Sequence, residues 1–191
     1  MSRAKARKTD RTIVLVGLMG AGKTCIGKRL AKRLGLPFAD ADAAIEKAAG
    51  CTIPEIFAQH GEAAFREGER KVIARLLDDP PHVLATGGGA FMDPETRSRI
   101  KARAISVWLR AELDLLLRRT ARRSNRPLLS AGEPREVLER LMAVRYPVYA
   151  EADITVDSAD LPADVTVDKV MAALDENRRR TAEPARRRAA S

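Results

Sequence analysis

The strongest constraint on this chain lies near its start. There Gly17-Leu18-Met19-Gly20-Ala21-Gly22-Lys23-Thr24 satisfies every fixed position of the pattern G-x-x-x-x-G-K-[ST]. An aliphatic, β-branched run, Thr12 to Val16, precedes it, and Cys25 to Leu34 follows with apolar residues at helical spacing. A strand that feeds a glycine loop and then a helix is the first part of a β–α–β unit, so this segment commits the chain to an α/β architecture. It also points to a chemistry. Backbone N–H groups of such a loop close around phosphate oxygens, and the helix N-terminus adds its partial positive charge. The lysine reaches the β- and γ-phosphates, and the hydroxyl joins Mg²⁺. Gly20, Ala21, Gly22, Lys23, Thr24 and Cys25 are therefore the expected cradle for a nucleoside triphosphate. A plain glycine turn beside a surface lysine is the competing reading.

The rest of the chain keeps the same rhythm. Short apolar runs at 36–40, 83–86, 104–109 and 154–156 read as further strands. Helical spacing fills the intervals: a helix from near Ala43, a short one from the capping box Thr52-Ile53-Pro54-Glu55 to His60, and a longer one from Gly61 to Leu77. Asp93-Pro94 opens another, and three more lie near 111–120, 133–150 and from about Leu161. Alternating strands and helices imply right-handed crossovers and a five-stranded parallel sheet in a three-layer αβα sandwich. Ligands in such sheets bind beyond the carboxyl ends of the strands. The first strand ends in the glycine loop, the second in Asp40-Ala41-Asp42 and the third in Gly87-Gly88-Gly89, so three unusual sequences meet at one edge.

Composition narrows the partners. At 191 residues the chain suits one domain, and no apolar stretch reaches the ~20 residues of a membrane helix. Cys25 and Cys51 lack metal or redox spacing and read as reduced packing residues, which points to the cytoplasm. The net charge of +9 suggests nucleic acid until it is located. Residues 1–12 carry five basic and one acidic side chains, and residues 175–191 carry six and three, so the ends supply seven of the nine charges. The body is nearly neutral, and the ends read as a basic disordered arm over 1–11 and a basic tail over 175–191, into which the last helix continues part-way. No nucleic-acid or membrane partner is expected.

Several residues beyond the loop carry chemistry. Asp40 and Asp42, two apart, share a side if the segment is extended, one suited to Mg²⁺ through water and the other to a substrate hydroxyl; helix capping competes for each. Three glycines at a strand end suggest backbone pressed against a ligand, with a turn as the alternative. Arg66 and Glu69 have the spacing of an ordinary surface ion pair, and Arg145 precedes Tyr146-Pro147, where the proline should bend the chain. Together the two arginines suit an anionic substrate. Arg118 to Leu129 ends a helix and enters a polar loop rich in arginine, as a lid over a triphosphate does. His60 and His82 sit near element ends and read as structural.

These pieces, in this order and spacing, resemble shikimate kinase over residues 11–174: Gly-Leu-Met-Gly-Ala-Gly-Lys-Thr, Phe-Ala-Asp-Ala-Asp, Phe-Arg-Glu-Gly-Glu, Thr-Gly-Gly-Gly-Ala, Asn-Arg-Pro-Leu-Leu and Arg-Tyr-Pro-Val-Tyr. The resemblance implies a nucleoside-monophosphate-kinase-like P-loop fold over 12–174, with a substrate-binding subdomain near 42–70 and a lid near 121–133. It implies transfer of the ATP γ-phosphoryl group to the 3-hydroxyl of shikimate, with one Mg²⁺ per subunit and a monomeric enzyme. By matching position it makes Lys23, Asp42 and Arg126 catalytic, with Lys23 and Arg126 on the transferring phosphoryl group and Asp42 the candidate base. Thr24 and Asp40 become metal residues, and Arg119 and Arg126 join the nucleotide contacts, with Arg119 against adenine. Asp42, Arg66, Gly87, Gly88, Gly89 and Arg145 become substrate contacts. One departure stands out. Such enzymes often place a basic residue after the last strand, beside adenine, where this chain has Asp157-Ser158-Ala159-Asp160-Leu161-Pro162; Pro162 is the substitute expected there. A gluconate kinase is the nearest rival reading, then a nucleoside-monophosphate kinase, then a basic nucleic-acid-associated P-loop protein.

Overall fold

The computed structural model describes residues 9–121 and 133–189, with side chains up to residue 182. Five strands, β1 (Thr12–Val16), β2 (Phe38–Asp40), β3 (Val83–Ala85), β4 (Ala104–Arg110) and β5 (Ile154–Asp157), form one sheet in the order β2-β3-β1-β4-β5. All four pairings are parallel. The helices are α1 (Lys23–Leu34), α2 (Ala41–Ala49), α3 (Ile53–Asp78), α4 (Pro94–Arg103), α5 (Leu113–Ala121), α6 (Pro134–Tyr149) and α7 (Ala163–Ala189), with a 3₁₀ turn at Ala90–Met92. A parallel sheet needs a cover on both faces, and the central strands show it: every residue of β1 and β3 is buried.

This order brings the strand ends of the sequence reading side by side. β1 lies between β3 and β4, and β2 lies beyond β3, so Gly17, Gly87 and the end of β2 at Asp40 follow one another along the carboxyl edge. Two places along this edge follow: the glycine loop after β1, with the ends of β4 and β5 beside it, and the ends of β3 and β2, where α2 leaves β2 and packs on α3.

Local chemistry explains most boundaries. Thr52 and Glu55 form the expected reciprocal cap on α3, and Asp93 caps α4 through the Thr96 N–H at 2.8 Å. Gly61, at φ 79 and ψ 174, breaks α3 where two helices were expected to meet. Pro147 lies inside α6, which ends two residues later at Tyr149. Two expectations change. α2 begins at Ala41 rather than near Ala43, because Asp40 itself is the N-cap and accepts from the Asp42 N–H at 3.1 Å. Residues 9–11, expected within the N-terminal arm, pack on the body: Thr9 is buried, and Arg11 donates to the carbonyls of Lys101 and Ala102, each at 3.2 Å. The last helix, expected to continue part-way into the basic tail, runs to Ala189. No helix among the described residues is long and apolar enough to cross a membrane.

Candidate active site

The nucleotide side is built mainly from backbone. Gly17 leaves β1 at φ 143, and a Cβ there would lie 2.8 Å from the Leu109 carbonyl of β4, so only glycine lets the loop pass. Gly22, left-handed at φ 97, is the N-cap of α1 and offers no side-chain cap, and the first turn carries no acid. The first N–H groups of α1 and its positive end are thus left for an anion. Lys23, the first residue of the helix, donates through Nζ to Gly17 O at 2.7 Å and Leu18 O at 2.9 Å, which holds the ammonium against the loop. Cys25 occupies the same first turn, exposed, with Arg29 Nη1 2.8 Å from its sulfur.

Next to the loop, Thr24 Oγ1 donates to Asp40 Oδ2 at 2.9 Å, while Asp40 Oδ1 accepts from the Asp42 N–H. Capping and metal holding were competing readings of Asp40. Its geometry serves the cap with one oxygen and leaves the other beside the Thr24 hydroxyl. One hydroxyl and one carboxylate are hard oxygen donors, as Mg²⁺ requires. Among the described residues no group of three or more His, Cys, Asp or Glu side chains could enclose an ion. On the far side, Arg119 of α5 donates to Ala159 O at 2.8 Å, Ser158 Oγ at 3.0 Å and Gly20 O at 3.4 Å. The loop after β5, which lacks a basic residue of its own, therefore grips the arginine of a neighbouring helix.

The other half of the site is built from charged side chains around the triple glycine. A Cβ on Gly87 would sit 2.9 Å from Asp42 Oδ1 and 3.0 Å from Glu69 Oε1. One on Gly88 would sit 3.0 Å from Arg145 Nη1, and one on Gly89 would overlap the Arg66 guanidinium. Asp42, Arg66, Glu69 and Arg145, from α2, α3 and α6, therefore converge on three consecutive residues. Asp42 reaches this position from the first turn of a helix, not from the extended segment that its spacing to Asp40 suggested.

Two buried residues in and beside this cluster were not foreseen. Glu69 is buried at 3% exposure and accepts from Arg66 Nη1 at 2.8 Å. Burial pushes its pKa up; the pairing with Arg66 offsets this only in part, and the nearby Asp42 charge adds to it. Its spacing to Arg66 suggests only half of an ordinary surface pair. A signal was available: Glu69 falls four residues after Phe65 and three before Val72, on the stripe that α3 buries. Tyr149, fully buried, donates its hydroxyl to Gly88 O. Burial raises its pKa to about 12, so the proton stays on that oxygen. Trp108 and Tyr146, with ring centroids 4.9 Å apart, hold α6 against β4 and so place Arg145 and Tyr149. Arg126 and the lid near 121–133 lie outside the described residues, apart from the ends of that segment.

A family model described as shikimate kinase matches residues 19–175. The chain belongs to the shikimate kinase family. A shikimate kinase of Paramagnetospirillum magneticum is 67% identical over 167 residues, which is 87% of this chain and 86% of that protein. Among solved structures, shikimate kinase from Acinetobacter baumannii in complex with shikimate superposes with a TM-score of 0.86 at 41% identity, over 90% of this chain and 97% of that one. A gluconokinase from Sinorhizobium meliloti superposes at 0.55 and 20% identity, over 89% of this chain and 94% of that one, a likeness of fold alone. The P-loop kinase fold is thus shared with the rival reading, and the family with shikimate kinase.

Proposed function

We propose that this chain transfers the γ-phosphoryl group of ATP to the 3-hydroxyl of shikimate. The observation that carries this reading is the ring of Asp42, Arg66, Glu69 and Arg145 around Gly87–Gly89, one strand away from the glycine loop. Two guanidinium groups of separate helices suit a carboxylate, and the carboxylates of Asp42 and Glu69 suit ring hydroxyls.

In this reading Arg66 and Arg145 hold the substrate carboxylate and set the ring over the glycines. The 3-hydroxyl faces Asp42, which accepts its proton as the oxygen bonds to the γ-phosphorus and the bridge to the β-phosphate breaks. The α1 N-terminus and Lys23 take up charge on the phosphates, with Arg126 contributing from the lid. Thr24 and Asp40 are the residues that would hold Mg²⁺, which neutralises phosphate charge when bound. Arg119 lies against adenine, with Pro162 beyond it. Phosphoryl transfer asks for alignment and charge neutralisation more than covalent help, and these residues supply both.

The test is ADP release with shikimate, gluconate and nucleoside monophosphates side by side. Release that depends on shikimate is the expected result. Hydrolysis independent of shikimate, or a preference for gluconate, overturns the reading.

A further inference from the structure

The segment after β5 binds Arg119 without a cation of its own, and one hydroxyl makes that possible. Ser158 is buried at 6% exposure, and its own N–H donates to Arg110 O at 2.7 Å. Its Oγ donates to Ala21 O in the glycine loop at 3.2 Å and accepts from Arg119 Nη1 at 3.0 Å. A serine hydroxyl has one proton, so the bond to Ala21 fixes the oxygen as an acceptor toward Arg119. Arg119 Nη2 donates to Ala159 O at 2.8 Å, so two different nitrogens of one guanidinium are held by consecutive residues. A single bond leaves a planar guanidinium free to swing, whereas two from separate nitrogens fix its plane.

The acids on either side do a different job. Asp157 pairs with Arg110 at 2.6 Å and Asp160 with Arg118 at 3.2 Å, and both acids are mostly exposed. Exposed pairs of this kind contribute little. The buried link between loop, β5 and α5 runs through Ser158.

We propose that Ser158 is a positioning residue for the nucleotide: it locks the plane of Arg119 against the glycine loop and so prepares the ATP site without touching ATP. The proposal rests on the reading of Arg119 as a nucleotide contact. Preparing a charged side chain in place before binding lowers the ordering cost that association otherwise meets.

Steady-state kinetics with each substrate varied, together with calorimetric titration of ADP, test this on Ser158→Ala, Arg119→Ala and the double variant. Ser158→Ala is expected to raise the KM for ATP and the Kd for ADP about tenfold, the loss of a hydrogen bond to a charged group. The KM for shikimate should stay within about twofold. The double variant should be no worse than Arg119→Ala, because Ser158 acts through that arginine. Equal rises in both KM values, or an additive double variant, overturn the proposal. A silent Ser158→Ala beside a damaged Arg119→Ala removes the proposal and leaves the Arg119 reading standing; a silent Arg119→Ala removes both. Should Ser158→Ala fail to fold, Arg119→Lys keeps the charge but loses the two-nitrogen grip. It should then show the same tenfold loss for ATP, and unchanged ATP affinity refutes the proposal.

Discussion

The two halves of the site use glycine for opposite reasons. Around the nucleotide, Gly17, Gly20 and Gly22 all have positive φ, and the fold needs their dihedral freedom. Around the acceptor, none of Gly87, Gly88 and Gly89 has positive φ; what matters there is the missing side chain, because Asp42, Glu69, Arg145 and Arg66 occupy the space. In the proposed reading, backbone binds phosphate on one side, and packed charged side chains face a polyol acid on the other. A phosphate is nearly the same from every direction, so a run of N–H groups suffices. A ring with a carboxylate and several hydroxyls is not, and its recognition takes groups from several elements.

The largest effect should come from the cation that serves the reaction on the nucleotide side. Lys23→Ala is expected to lower kcat about a thousandfold, the scale of losing one group that stabilises transition-state charge. A kcat within tenfold of the parent enzyme would remove Lys23 from the transferring phosphoryl group. On the acceptor side Arg145→Ala should act through binding, raising the KM for shikimate roughly a hundredfold with the KM for ATP nearly unchanged. Equal losses for both substrates would mean that the halves are not separable in this way.

The glycines allow a closer test. Gly22→Ala forces a side chain into the left-handed region at φ 97, at about 1–2 kcal/mol, and should weaken ATP and stability together. Gly88→Ala has no such strain, but its Cβ would press on Arg145 Nη1 from 3.0 Å. It should raise the KM for shikimate about tenfold and leave melting nearly unchanged. If both variants weaken ATP alike, the distinction between dihedral and space fails.

The same contrast explains what the sequence disclosed. The nucleotide half was legible because eight consecutive residues encode it, and the α/β alternation around them follows from simple periodicity. The acceptor half was legible only as fragments: Asp42, Arg66 and Arg145 are far apart in the chain, and a resemblance was needed to join them. Glu69 and Tyr149 escaped because burial of a charge and a tyrosine aimed at Gly88 O are tertiary facts. Asp40 was left between two roles that its two oxygens make compatible. Ser158 was hidden in a loop noticed only for what it lacked.

The smallest expected effect is electrostatic and belongs to the acceptor half alone. Burial raises the pKa of Glu69 above its ordinary value, so the folded chain holds that proton more tightly than the unfolded chain does. Stability from this group is then greatest at acid pH, falls as pH rises through the window above the ordinary carboxylate value, and levels off beyond the folded-state pKa. Glu69→Gln keeps the shape and cannot titrate, so wild-type melting temperature minus that of the variant should drop as pH goes from about 4 to 7. Arg66 retains Glu62 at 3.3 Å in the variant, which keeps its guanidinium from being left without a carboxylate. A difference that stays constant across that range would show that Glu69 ionises as it does in water. The buried cluster around the glycines would then be wetter than its geometry indicates.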